Sequence, residues 1–280
     1  MEKINIGIFM STEKEIANNL IAIFIAHKDE LSYANINENN EYLGWVQDFK
    51  IKINGDENIK LDLTSENDLF LLFVLSVSWS RSGHWENSAF FVAYLQFSEK
   101  SSPLLWLDDS FVKKEEEDRK KSASEIIQKV NSYNTRRKVS FRKDVYASIS
   151  LLARQWNDIK LTLALSSKDN KFTSFMTFIR GIKGLGVRQK KMLIKIPLIL
   201  RELRCQNIYD NIPGELCCVP DKRVLEACKE LGIKLKSPYY KSSDNLDSLF
   251  HASNKIYSLF GDLYDLPLFA YEDLKQYFYD

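Results

Sequence analysis

The chain has 280 residues, of which 45% are hydrophobic, 12% aromatic and 28% charged. That balance excludes a disordered or fibrous protein, and the length suffices to bury a core without disulfides or structural metals. Lys and Arg total 39 against 38 for Asp and Glu, so the net charge is +1. Taken alone, this sum argues against a strongly basic nucleic-acid-binding domain.

The apolar runs and the cysteines favour a cytoplasmic protein. The most apolar stretch, residues 69–77, is too short to span a membrane, and the acidic N-terminus lacks the pattern of a secretory signal. The four cysteines contain no C-x-x-C pair and the three histidines are scattered. We therefore expect reduced thiols, no metal site and no cofactor.

The first 64 residues predict one helix followed by a β-hairpin. Residues 12–27 carry apolar side chains at helical spacing, and residues 49–63 alternate apolar with charged residues on both sides of Asn54-Gly55. We expect residues 1–64 to form an N-terminal segment, ahead of a helical region at residues 65–280.

Helical periodicity dominates from Ser65 onward. Buried helices are predicted over about residues 65–82 and 85–97, and the charged run at 113–121 is typical of a solvated helix face. Further helical patterns occupy residues 142–156, 172–182, 183–204 and 222–233. The tail at residues 244–280 predicts two or three short helices. Its aromatic residues, which we expect to close a core, are Phe269, Tyr271, Tyr277, Phe278 and Tyr279. The predicted fold class is mainly α.

One stretch predicts a helix-hairpin-helix element at about residues 172–204. An amphipathic helix runs into Gly184-Leu185-Gly186, and the next helix carries Arg188, Lys190 and Lys191 in its first turns. Glycines let the backbone approach a phosphate closely, and the free N–H groups of a helix start attract an anion. Cations at a helix start are otherwise unfavourable. The residues predicted to bind the DNA backbone are Lys183, Gly184, Gly186 and Arg188.

The same stretch concentrates positive charge. From Arg180 to Arg204 there are eight basic residues and one acidic residue, Glu202, which gives a local charge of +7. We call the eight the basic region: Arg180, Lys183, Arg188, Lys190, Lys191, Lys195, Arg201 and Arg204. A surface of this kind would give sequence-independent, salt-sensitive affinity for a nucleic-acid backbone.

A second pattern lies downstream, where Asp221 follows Pro220 and precedes a predicted helix. An Asp at such a position is either a structural N-cap or a functional carboxylate. Together, Gly184-Leu185-Gly186 and the segment at residues 219–224 (VPDKRV) resemble the helix-hairpin-helix DNA glycosylase superfamily over about residues 170–235. The resemblance implies a two-lobed helical fold, a monomer, and Asp221 as the catalytic carboxylate.

Two departures from the superfamily pattern refine the resemblance. The hairpin and Asp221 are separated by a long segment, residues 197–214, which is closest in spacing to the archaeal 8-oxoguanine DNA glycosylase branch. Arg188 occupies the position where bifunctional members carry a Schiff-base lysine, and an arginine cannot serve as an amine nucleophile. Lys190 or Lys191 could substitute in a shifted hairpin, but the sequence favours a monofunctional enzyme.

A glycosylase must also accept a base that has left the helical stack. In the break between the two early helices, Trp79, His84 and Trp85 are the residues we expect to line a base pocket. The expected partner is double-stranded DNA with a damaged or modified base, 8-oxoguanine being the base that the branch resemblance implies. The expected role is base excision repair of DNA damage.

Three alternatives remain open from the sequence. The first is an N-glycosidase of free nucleosides or nucleotides, like the queuosine-salvage enzymes, which would have little use for a basic region. The second is a non-catalytic helix-hairpin-helix DNA-binding protein, which would not need Asp221. The third is a purely structural helical domain, which predicts no affinity for nucleic acid.

Overall fold

The computed structural model describes residues 12–31, 33–44, 60–82, 85–98, 143–182, 191–236 and 246–278, with Leu185 and isolated positions between 118 and 128. At the ends of several helices it describes the backbone alone. This part of the chain is mainly α-helical, which confirms the predicted fold class. The hairpin predicted around Asn54-Gly55 lies outside the described residues.

Most of the helices lie where the sequence predicts them, but the helix at Trp156–Lys168 was not predicted. Their bounds are α1 Glu13–Ala26, α2 Glu66–Ser82, α3 Trp85–Ser98, α4 Lys143–Arg154, α5 Trp156–Lys168, α6 Phe172–Gly181, α7 Lys191–Cys205, α8 Lys222–Glu230, α9 Leu246–Phe260 and α10 Leu266–Phe278. No helix among these is long and apolar enough to cross a membrane.

Helix α2 is the centre of the core. Every residue from Phe70 to Val77 is at most 1% exposed, so this helix is buried on all sides and packs against α3, α4 and α7. Trp156, at the start of α5, meets the rings of Phe70 and Phe73 edge-on and donates its indole N–H to Glu66. A helix that is apolar all round must be surrounded by others, and the sequence pattern of α2 predicts this.

The N-terminal helix joins the same core as the C-terminal helices. Thr12 and Glu15 form a capping box at the start of α1, and α1 packs against α9 and α10. Its inward residues Ala17, Leu20 and Phe24 are fully buried in the cluster that also contains α2. The boundary between residues 64 and 65 stays a prediction.

A loop at residues 33–44 packs against the C-terminal end of α7. Ile36 and Tyr42 form an antiparallel bridge, and the Tyr42 hydroxyl donates to Glu202 over 2.8 Å. Gly44 has a φ of +93°, and a Cβ built on it would lie 2.6 Å from Glu202 Oε2. Glycine is therefore required here both for the backbone conformation and for the close approach to α7.

We predict that Gly44→Ala destabilises the fold by about 1–3 kcal/mol, because it adds strain at a positive φ and a clash with Glu202. Gly181→Ala is the matched control, since a Cβ there meets no atom within 4 Å at the end of α6. It should be neutral or stabilise by up to about 1 kcal/mol. Urea unfolding of both variants measures the difference, and equal stabilities would contradict this account of the loop.

Candidate functional site

Lys195 is a buried cation in the middle of α7. The residue is only 6% exposed, although the neighbouring positions from Ile196 to Leu200 are apolar or Pro197. Lysine is almost never buried to this extent unless its ammonium is paired, because desolvation of the charge is costly. The partners of Lys195 therefore define the site.

Asp221 is the ionic partner of Lys195. Its Oδ2 lies 2.7 Å from Lys195 Nζ, and the two side chains are 17% and 7% exposed. The other oxygen, Oδ1, accepts from the backbone N–H of Val224 at 3.2 Å, so Asp221 is also the N-cap of α8. One oxygen of this carboxylate therefore forms the helix cap that the sequence suggested, and the other forms the ion pair with Lys195.

Trp79 forms the second contact of the Lys195 ammonium. The nitrogen lies 3.6 Å from the centroid of the indole ring, in the geometry of a cation–π interaction. Trp79 belongs to α2 and is 7% exposed. Helices α2 and α7 and the start of α8 therefore meet at a single ammonium group.

An aromatic surface continues from Trp79 toward solvent. Trp79 meets Phe269 of α10 edge-on at 6.2 Å, and the guanidinium carbon of Arg223 lies 4.4 Å from the Phe269 centroid. Arg223 is held by Asp273 at 2.5 Å, and Tyr33 donates to the same carboxylate. Phe269 is half-buried and packs against the core, as expected, and it also contacts Arg223 on the first turn of α8.

Helix α7 carries a second ion pair, between Arg201 and Asp265, which is buried more deeply than the pair of Lys195 and Asp221. Arg201, also on α7, donates to Asp265 at 2.9 Å, and the same Asp265 oxygen accepts from the backbone N–H of Val219 at 2.8 Å. Burial raises the pKa of Asp265 above its usual range, while Arg201 and the Val219 N–H oppose that rise. The charge of Asp221 also raises the pKa of Asp265 and that of Lys195 lowers it.

The structure describes only some of the predicted site residues. Asp221 and Trp79 come together through Lys195. The predicted phosphate-binding residues Lys183, Gly184, Gly186 and Arg188 lie outside the described residues, as do Lys190 and His84. Of Lys191 and Trp85, which begin α7 and α3, only the backbone is described.

Part of the basic region does not lie at the surface, contrary to what its charge sum suggested. Lys195 and Arg201 are 6% and 0% exposed and are paired with Asp221 and Asp265. Arg204 is only partly exposed and contacts Asp262 and the Tyr264 hydroxyl. A charge sum along the sequence does not distinguish surface cations from cations that are buried in pairs, and two of the eight, Lys195 and Arg201, belong to the second kind.

Comparisons of the chain with protein families, with curated proteins and with solved structures found no match. The site is therefore interpreted from its own geometry. Among the described residues, no group of His, Cys, Asp and Glu side chains is arranged to hold a metal ion. All four cysteines are free thiols and three of them are buried.

Sequence reasoning missed Lys195, Phe269 and Asp265 as parts of the site. Lys195 carried a usable signal, since a lone cation flanked by Ile194 and Ile196 within a helix needs a buried partner. Phe269 and Asp265 carried none, because they lie more than forty residues beyond Asp221 in the sequence.

We predict a strong energetic coupling between Lys195 and Asp221. A double-mutant cycle with Lys195→Met and Asp221→Asn should give about 1–3 kcal/mol by urea unfolding, since the pair is mostly buried. Asparagine keeps the helix cap, so the cycle isolates the ion pair from the capping interaction. The exposed pair of Lys222 and Glu226, 3.5 Å apart, is the control and should give at most about 0.5 kcal/mol. Equal couplings would refute the buried pair.

Proposed function

We propose that this protein is a DNA N-glycosylase that flips a damaged or modified base out of the duplex and cleaves its N-glycosidic bond. The observation that carries the proposal is the 2.7 Å contact between Lys195 and Asp221, next to Trp79. This contact pairs Asp221, the carboxylate that the resemblance designates as catalytic, with the amine of Lys195. The sequence pattern alone offered no such amine, because Arg188 occupies the position of the expected lysine. A cap alone would not require a buried lysine.

The Lys195–Asp221 pair can carry out the two steps that base removal needs, a proton transfer and a nucleophilic attack. Asp221 accepts a proton from the Lys195 ammonium, which frees the nitrogen lone pair for attack on C1′ of the flipped nucleotide. The C1′–N bond breaks and the base leaves with the bonding electrons, taking the proton that Asp221 had accepted. This transfer returns Asp221 to its carboxylate form, which stabilises the positive charge that remains on the alkylated Lys195 nitrogen and the sugar.

A lysine in this place also supports a lyase step. Ring opening of the aminated sugar, with a proton taken by O4′, gives a Schiff base on Lys195. Loss of a C2′ proton then expels the 3′ phosphate by β-elimination and nicks the strand. The sequence favoured a monofunctional enzyme because of Arg188, and we now propose Lys195 as the amine for both steps.

The surface formed by Phe269 and Arg223 is suited to the flipped base. A planar base can stack on an aromatic ring, and a guanidinium can donate to acceptors at the edge of a purine. We propose that the base binds at Phe269 and Arg223, and that Trp79 supports Lys195 from behind instead of holding the base. An oxidised purine such as 8-oxoguanine, with its added edge oxygen, is the first substrate to test.

Affinity for DNA is assigned to the connection between α6 and α7. The resemblance places Gly184 and Gly186 against the backbone phosphates, with Lys183 and Arg188 beside them. The two helices that flank this connection are present at Phe172–Gly181 and Lys191–Cys205, as a helix-hairpin-helix requires. Because Lys195 and Arg201 are buried in pairs, the salt dependence of DNA binding should reflect fewer cations than the charge sum implies.

The test is a panel of duplexes, each with one damaged or modified base, scored for base release and for strand nicking with and without alkali. We expect release from at least one duplex, and nicking without alkali. Asp221→Asn should lower release at least 100-fold while duplex binding stays within about threefold, because asparagine keeps the cap of α8 but cannot accept the proton.

Asp247→Asn is the matched control, since it changes an exposed carboxylate in the first turn of α9. Full activity in Asp221→Asn would overturn the proposal.

The panel should include free modified nucleosides, because burial of part of the basic region weakens the main argument against a nucleoside N-glycosidase. Release from nucleosides but not from duplexes would favour that enzyme.

A further inference from the structure

Asp265 connects the two elements that carry the Lys195–Asp221 pair. Its Oδ1 accepts from Arg201 of α7 at 2.9 Å and from the backbone N–H of Val219 at 2.8 Å. Arg201 lies six residues after Lys195 on the same helix, and Val219 lies two residues before Asp221. Helix α7 and the segment at residues 219–221 are therefore joined twice, once directly and once through Asp265.

The local backbone is consistent with a demanding role for Asp265. The preceding residue, Tyr264, has a φ of +54°, which is rare and strained for a bulky residue. Tyr264 is 1% exposed, and its hydroxyl accepts from Arg204 of α7. The strained turn thus brings Asp265 from the start of α10 into the interior, where water cannot replace its partners.

We propose that Asp265 is a positioning residue that fixes the register between α7 and the residues before α8, so that Asp221 meets the Lys195 ammonium. The expected effect of Asp265 on base release rests on the proposed function. Its expected effect on the Lys195–Asp221 contact does not depend on that function. An error of about 1 Å between reacting groups can lower a rate about 100-fold, so a loss of register should be visible in catalysis.

The nearest structural comparison is Ser253 of α9. Its hydroxyl accepts from the backbone N–H of Cys218 at 3.0 Å, one residue before Val219, and the residue is fully buried. This bond holds the same segment but ties it to α9. Ser253→Ala therefore removes a buried hydrogen bond of the segment without touching its link to α7.

The first measurement is the Lys195–Asp221 coupling energy, determined by unfolding in the wild-type and Asp265→Ala backgrounds. We expect the coupling to fall by at least half in Asp265→Ala and to stay unchanged in Ser253→Ala. Asp265→Asn keeps an oxygen that can accept from Val219 and should restore part of the coupling; it replaces Asp265→Ala if that variant fails to fold. An undiminished coupling in the Asp265 variants would overturn the proposal.

The second measurement is the single-turnover rate of base release at saturating duplex. Asp265→Ala should lower this rate at least tenfold, while its affinity for the duplex stays within about threefold of the wild type. Asp265→Asn should recover part of the lost rate. The rate of Ser253→Ala should stay within about threefold of the wild type. If the wild type releases no base but the coupling falls, the proposed function fails and the positioning role stands. If Asp265→Ala releases base at the wild-type rate, the positioning role fails and the proposed function stands.

Discussion

The buried ammonium of Lys195 constrains the arrangement of three separate parts of the chain. Removing a charge from water costs several kcal/mol, and close partners such as an opposite charge or an aromatic face must offset that cost. Here the offset comes from Asp221 at 2.7 Å and from the Trp79 ring at 3.6 Å. Helix α2, helix α7 and the start of α8 must therefore keep their relative positions. A shift of any one would leave a charge unpaired in the interior.

The second buried pair extends the same constraint to α10. Arg201 is fully buried, and its partner Asp265 also holds the backbone two residues before Asp221. Such pairs are weak evidence for stability, since well-packed apolar residues would often stabilise a core equally well. Their presence on α7 is easier to explain by what they place beside each other, namely an amine, a carboxylate and the aromatic surface at Phe269.

Periodicity and turn chemistry predicted most of the helices, though not α5, while the site depended on contacts that are distant in sequence. The pattern of residues 222–233 correctly implied a helix with Asp221 at its start, because capping is a local interaction. The pairing of Lys195 with Asp221 spans 26 residues, and that of Arg201 with Asp265 spans 64. Local pattern does not encode such pairings, which is also why the charge sum did not reveal that part of the basic region is buried.

The most direct test of the proposed chemistry is borohydride trapping on a duplex that the protein processes, followed by mass-spectrometric mapping of the peptide that carries the DNA. Reduction converts a Schiff base into a stable covalent bond, so the modified residue is the amine that attacked C1′. We predict a single adduct on Lys195, absent from Lys195→Gln. An adduct on Lys190 or Lys191, or base release with no adduct at all, would contradict the assignment of Lys195 as the nucleophile.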